Sequence, residues 1–237
     1  MTPGQLGGAA KRTAGRTLGG AMDIERARFN MVEQQIRTWD VLDQDILDLL
    51  FTVKREEFVP AAYRMLAFAD LEIPLGDGEK MWTPRMEARV LQELALEMGE
   101  AVLEIGTGSG YFTALLASRG AEVTSVEINP RLAAEARARL ARSCIGGIEQ
   151  SEGDGAQGFG SEFYDAIVLT GSTPILPAAL VAQLSPGGRL FAIVGDAPAM
   201  TACLVRSVGP ESVTRTDLFE TVIDPLKNAA QTARFRF

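Results

Sequence analysis

From Asp23 onward the apolar positions follow a helical spacing. Phe29, Val32 and Ile36 keep one face, and Leu42, Ile46, Leu49 and Leu50 keep another after Asp40, which reads as an N-cap. Met86, Val90, Leu91 and Leu94 form the buried face of a further helix, with Pro84 at its first position. The pattern then changes. Ala101 to Ile105, broken only by Glu104, is the apolar run of a buried strand, followed by a glycine turn and a helix opening at Ser109 with Phe112, Leu115 and Leu116 inward. Glu122 to Ile128 predicts a second strand. Asn129 and Pro130 then start a helix that lines up Leu132, Ala136 and Leu140. A short third strand precedes Gly153-Asp154-Gly155, a fourth spans Tyr164 to Thr170, and Leu184 to Arg189 turn into a fifth at Leu190 to Val194. Strands near Ala202–Val208 and Leu218–Ile223 would supply an antiparallel edge. Strands alternating with helices predict a doubly wound α/β fold, a mostly parallel seven-stranded sheet with an N-terminal helical extension.

The turn after the first strand places glycines at 106, 108 and 110. Glycine lets a ligand approach the backbone, and the open N–H groups of the following helix favour an anion there. A dinucleotide fingerprint needs a small third residue at 111, where this chain has Tyr111. Glu127 ends the next strand 21 residues after Gly106, about the spacing at which an acid grips ribose hydroxyls. A nucleoside is implied and a pyrophosphate is not.

Composition narrows the chemistry. The 237 residues are 46% hydrophobic and 23% charged, ordinary for one soluble α/β domain, and no apolar run is long enough for a membrane helix. A net charge of −8 argues against a nucleic-acid backbone as ligand. Arg131, Arg137, Arg139 and Arg142 are interrupted by Glu135 and read as a solvated helix face. The two cysteines, Cys144 and Cys203, lack metal-ligand or redox spacing, so a reduced, cytoplasmic protein is expected. The chain has no histidine, which excludes a Ser-His-Asp triad, an imidazole base and the usual His-based metal sites.

Leu103-Glu104-Ile105-Gly106-Thr107-Gly108-Ser109-Gly110-Tyr111, followed by Val123-Thr124-Ser125-Val126-Glu127, resembles the S-adenosylmethionine site of class I methyltransferases. More closely, the chain is similar to the protein-L-isoaspartate O-methyltransferase family. Met31–Arg37, Arg55-Glu56-Glu57-Phe58-Val59-Pro60 and Ala67-Phe68-Ala69-Asp70 carry the likeness through the N-terminal part, from about Ala27 to the C-terminus. The resemblance implies S-adenosyl-L-methionine as cofactor, with Glu104, Gly106, Thr107, Gly108, Ser109, Gly110, Glu127, Ile128, Asp154, Gly155 and Thr170 as its contacts. It also implies a peptide or protein carboxylate as acceptor.

One loop departs from the family. There it reads roughly Pro-Ile-Gly-Tyr-Gly-Gln-Thr-Ile-Ser-Gln-Pro, with the Ser hydroxyl at the substrate carboxylate. Aligned on Gly76, Gly78 and Pro84, this chain puts Lys80 at the Thr position and Trp82 at the Ser position. Thr83 can supply a displaced hydroxyl, although its place before Pro84 favours an N-cap. Lys80 can pair with an incoming carboxylate or point into solvent, and Trp82 can wall the pocket or simply pack. These three are the candidate catalytic residues. Ser172, after the fourth strand, is a further candidate for touching substrate.

Methyl transfer to a carboxylate, with pKa near ~4, needs no general base, which suits a chain without histidine. The expected activity is therefore an S-adenosylmethionine-dependent O-methyltransferase acting on isoaspartyl carboxylates of damaged proteins. The alternatives are a divergent relative that methylates another carboxylate or a metabolite, and a binding module without turnover. A dehydrogenase is disfavoured by Tyr111 and the missing imidazole. Residues 1–21 are expected to be a tail, 22–98 a helical and substrate-side segment, and 99–237 the cofactor-binding core of a monomer.

Overall fold

The computed structural model describes residues 23–209 and 212–231. The expected N-terminal tail lies outside the described residues. Helix α1 (Ile24–Asn30), capped by the Asp23 carboxylate at Arg26 N (3.1 Å), runs on into a π-helical turn at Met31–Ile36 and a 3-10 turn at Arg37–Trp39. Asp40 ends that run in a left-handed conformation (φ 59°) and is not the cap of the next helix. That role belongs to Asp43, whose backbone is extended and whose carboxylate accepts from the first N–H groups of α2 (Gln44–Thr52).

Between the helical turns and α3 (Pro84–Leu94) stands a small antiparallel hairpin, β1 (Ile73–Gly76) and β2 (Glu79–Met81). Its tip is Asp77-Gly78, both with positive φ (55° and 84°), the backbone that a two-residue hairpin turn requires. Ile73 and Leu75 point inward while Pro74 and Gly76 face out. The stretch expected to be a loop is thus a hairpin.

The main sheet, among the described residues, has seven strands in the order β5-β4-β3-β6-β7-β8-β9. These are β3 (Ala101–Ile105), β4 (Glu122–Glu127), β5 (Ile148–Glu152), β6 (Tyr164–Thr173), β7 (Leu184–Asp196), β8 (Ala199–Gly209) and β9 (Ser212–Glu220). The first five are parallel; β8 runs against β7, and β9 against β8. The last strand thus begins and ends earlier than expected, because its ladder with β8 runs from Ser212 to Glu220, with one further bond from Thr221 N to Met200 O (3.2 Å). The strand order reverses between β3 and β6, the place where open α/β sheets hold ligands.

Alternate residues of β3 feed two cores. Val102 joins the side covered by the N-terminal helices, α3, α4 (Tyr111–Ser118) and α5 (Pro130–Ser143). Leu103 and Ile105 join the other side, with Leu180 of α6 (Ala178–Ala182). Tyr111 is fully buried at the start of α4, tilted against Phe58 at 5.5 Å, so a bulky side chain fills the place a dinucleotide site keeps small.

Candidate active site

The β3–α4 turn forms the floor of a cleft at the carboxyl ends of β3, β4 and β6. Gly106, Gly108 and Gly110 all have positive φ (98°, 55° and 84°). At Gly106 the need for glycine is also steric, since a Cβ there would lie 2.2 Å from Thr170 Oγ1. That hydroxyl bonds the carbonyls of Ile105 (3.0 Å) and Gly106 (2.7 Å), tying β6 to the turn. The helix opens at Tyr111, two residues after the expected Ser109: Gly110 is the N-cap of α4, and Ser109 Oγ accepts from Tyr111 N (3.1 Å).

Three adjoining recesses share Gly106. The main one, an open cleft, runs past Gly108, Glu127, Ile128, Lys80 and Trp82. An inner recess reaches Thr107, Ser109, Phe112 and Glu87. The third lies between Ile128, Leu226 and the Gly153–Ala156 turn. A roomier apolar hollow among Phe163, Val181, Pro186 and Val213 sits at the amino ends of the strands and carries no ionisable lining, so the chemistry does not belong there.

Glu127 enters the cleft preoriented. One carboxylate oxygen accepts from Gly108 N (2.8 Å) and the other from Asn129 N (2.9 Å), which leaves about half of its lone pairs for other donors. Asp154 faces the third recess, its two oxygens accepting from Ala156 N (3.0 Å) and Asn228 Nδ2 (2.9 Å). Gly155 is held small by packing, for a Cβ would meet Ile105 Cδ1 at 2.4 Å.

Glu104 departs from the expected direct contact. It is fully buried on the α4 side of β3, where its Oε2 accepts from Thr113 Oγ1 (2.5 Å) and Ser125 Oγ (2.6 Å). Ser125 Oγ in turn bonds Thr107 Oγ1 at 2.6 Å, so the Glu104 and Thr107 side chains brace the turn from behind. Burial pushes the Glu104 carboxyl up to about 8, only partly opposed by the two hydroxyls. A folded-state pKa above the unfolded value means that the folded protein holds the extra proton, so this group's contribution is full below about 4.5 and fades as pH rises toward 8. Glu104→Gln should therefore gain on the wild type as pH rises from 5 to 8, by up to about 1.4 kcal/mol per pH unit. Parallel melting curves at the two pH values check this; a gap that stays constant with pH contradicts it.

The departing loop divides its three candidates. Thr83 is the N-cap of α3, its Oγ1 accepting from Met86 N at 3.4 Å, and it lines none of the three recesses. Of the two roles expected for Thr83, the geometry matches the N-cap. Trp82 does both things suggested for it: it walls the main and inner recesses, and it packs edge-on against Phe112 (5.4 Å) and Phe191 (6.3 Å). Its buried Nε1 has no hydrogen-bond partner among the described residues. Lys80 is not free in solvent; its ammonium lies 2.8 Å from Asp224 and 3.5 Å from Glu72.

The loop is set from below by Arg55, whose guanidinium donates to Glu87 Oε2 (2.9 Å), Ala67 O (2.6 Å) and Trp82 O (2.6 Å). Burial holds the Glu87 carboxyl up near about 7, against the pull of Arg55. Ser172 is not available to a substrate: it is fully buried, and its Oγ donates to Ile223 O at 3.1 Å.

Sequence reasoning missed the far wall. Backbone bonds from Ser172 N to Asp224 O (3.0 Å) and from Leu226 N to Ser172 O (2.9 Å) fold the segment after β9 onto β6. This brings Ile223, Asp224, Leu226 and Lys227 into the cleft, with Lys227 on Glu79 at 2.7 Å. Pro225 lies opposite Ser172 in an isolated parallel bridge, five residues after β9 has ended, and no local pattern announces that pairing.

The family model for protein-L-isoaspartate(D-aspartate) O-methyltransferase (PCMT) matches residues 26–228. A protein-L-isoaspartate O-methyltransferase of Methanoculleus marisnigri is 44% identical over 72% of this chain and 78% of its own length. Another from Syntrophobacter fumaroxidans is 38% identical over 83% and 92%. In fold, the chain is similar to a Plasmodium falciparum crystal structure assigned to the same enzyme and solved with S-adenosyl-L-homocysteine. The TM-score is 0.74, with 18% identity, over 86% of this chain and 97% of that one. On the span and strength of these matches, the chain belongs to the protein-L-isoaspartate(D-aspartate) O-methyltransferase family.

Proposed function

We propose that this protein transfers a methyl group from S-adenosyl-L-methionine to the carboxylate of isoaspartyl residues in damaged proteins. The observation that carries the reading is the convergence of the Gly106–Gly110 turn, Glu127 and Asp154 on one cleft at the strand-order reversal, in a chain of this family.

The residues fit the cofactor. Glu127 keeps lone pairs for ribose hydroxyls, and the recess between Ile128 and Leu226 offers apolar walls for a base with Asp154 at its edge. Glu72, Glu79, Glu127 and Asp224 outnumber Lys80 and Lys227 along the main recess, an acid-rich lining that favours a cationic nucleoside. When bound, S-adenosyl-L-methionine supplies an electrophilic methyl group on a sulfonium.

The chain's own work is positioning and drying. An acceptor carboxylate arrives ionised, so no residue has to take its proton. Lys80 gives the acceptor a cation in a mostly acidic cleft, and Trp82 and Leu226 displace water around it. Orientation of this kind is worth roughly 7–11 kcal/mol of barrier in favourable cases. Gly106, Gly108, Ser109 and Gly110 keep the turn open, while Thr107 and Thr170 fix its shape from either side. Among the described residues no helix is long and apolar enough to cross a membrane, and neither Cys144 nor Cys203 is in a disulfide, in keeping with a cytoplasmic setting.

Incubation with an isoaspartyl peptide and methyl-labelled cofactor tests the function. Base-labile methyl groups, released as methanol, are expected on that peptide and not on its normal aspartyl counterpart. Label on neither, with the cofactor bound, sinks the proposal. Loss of the charged acceptor in Glu127→Ala should weaken S-adenosylhomocysteine binding by about 10- to 100-fold; an unchanged Kd by calorimetry removes Glu127 from the site.

A further inference from the structure

We infer that Asp224 is a built-in competitor for the acceptor carboxylate, occupying Lys80 until a substrate carboxylate exchanges with it. The inference rests on the proposed function and adds a specificity-setting residue to it.

Four observations meet here. Lys80 lines both the main and the inner recess, so its ammonium stands where an acceptor would pass. Its nearer partner, at 2.8 Å, is the carboxylate of Asp224, the same functional group as the acceptor. Asp224 comes from the segment after β9, and its backbone is held to β6 through Ser172 N (3.0 Å), independently of its side chain. The carboxylate can therefore release Lys80 by a side-chain rotation while the wall stays in place. Finally, Lys80 and Asp224 are 43% and 58% exposed, so neither pays a burial penalty when they part.

The other cation of the cleft, Lys227, is engaged with Glu79 at 2.7 Å. Glu72, at 3.5 Å from Lys80, is the more distant of that lysine's two partners and stays in place during the exchange. A neutral ligand such as a carboxamide gains nothing by displacing Asp224. An anionic one recovers the same ion pair, and the pocket thereby discriminates a carboxylate from the amide of an undamaged side chain.

An exposed pair of this kind closes with an equilibrium constant of about 2 to 5. Removing the competitor should lower the apparent acceptor Kd by about three- to sixfold, because the free form of Lys80 is then fully populated. The test is a double-mutant cycle of Asp224→Asn and Lys80→Met. It reads KM and kcat for an isoaspartyl peptide, and Kd for that peptide and for acetate by ligand-observed NMR in the presence of S-adenosylhomocysteine. Asp224→Asn is expected to lower KM and both Kd values by that factor. Lys80→Met should raise them, and Asp224→Asn should have no effect on the Lys80→Met background. A KM that rises or stays level in Asp224→Asn, or a decrease that persists without Lys80, overturns the exchange. If no form binds or methylates the peptide, the isoaspartyl reading has failed instead, and acetate alone then decides the exchange: tighter in Asp224→Asn supports it, unchanged refutes it.

Discussion

Gly106→Ala is expected to abolish measurable cofactor binding and to destabilise the fold. The added Cβ would lie 2.2 Å from Thr170 Oγ1 and 3.5 Å from Thr170 Cβ, at a φ of 98° that side-chain-bearing residues rarely adopt. Thr170 cannot simply swing aside, since its hydroxyl is bonded to the carbonyls of Ile105 and Gly106. Strain and overpacking together should cost about 3 kcal/mol, a fall in Tm of roughly 6–12 °C for a chain of this size. Gly108→Ala is the control. Its Cβ would touch only Leu75 Cδ1, at an ordinary 3.4 Å, so its stability loss should be the smaller of the two. Thr170→Ala removes the nearer clashing atom and should return part of what Gly106→Ala loses. Thermal melts and S-adenosylhomocysteine titrations check all three; equal losses at 106 and 108, or no rescue by Thr170→Ala, contradict the steric account.

Arg55→Ala should be the most destabilising single change in the substrate-side segment. Arg55 is 1% exposed, and its guanidinium satisfies Glu87 and the carbonyls of Ala67 and Trp82 while lying 5.7 Å from the centre of the Tyr111 ring. Removing one partner of a buried pair leaves an uncompensated group and costs about 3–5 kcal/mol. Two carbonyls are orphaned as well, so the upper end is expected. Lysine cannot replace the fork, because one ammonium does not reach three acceptors in fixed directions. Adding Glu87→Val should recover the part due to the stranded carboxyl but not the part due to the carbonyls. Since Trp82 O is one of these, catalysis should fall beyond what the lost folded population explains. A denaturation midpoint within about 1 kcal/mol of wild type contradicts this role.

Much of the site was legible because its signals are local. The apolar run into Gly106, Gly108 and Gly110 writes strand, turn and helix within eleven residues, and Glu127 falls at the end of the next strand. Residue alternation even held the answer on Glu104. It shares parity with Val102, so it belongs to the helix-covered face of β3 and not to the cleft. The β1–β2 hairpin was harder, since four and three residues are too few to show a period, although Asp77-Gly78 is a hairpin signal. What could not be read was non-local. Arg28 and Arg55 look like solvated charges until Glu56 and Glu87, 28 and 32 residues away, are packed against them. The captured segment at Ile223–Lys227 depends on Ser172, 51 residues earlier, lending its backbone and hydroxyl.

The central claim is that a single cleft under the β1–β2 hairpin holds both the nucleoside and the carboxylate it methylates. A crystal structure with S-adenosylhomocysteine and an isoaspartyl peptide bound measures this directly. It should place the ribose hydroxyls on Glu127, the base beside Asp154, and the peptide carboxylate on Lys80 with Asp224 turned away. A nucleoside bound anywhere else, or a peptide carboxylate beyond the reach of Lys80, contradicts it.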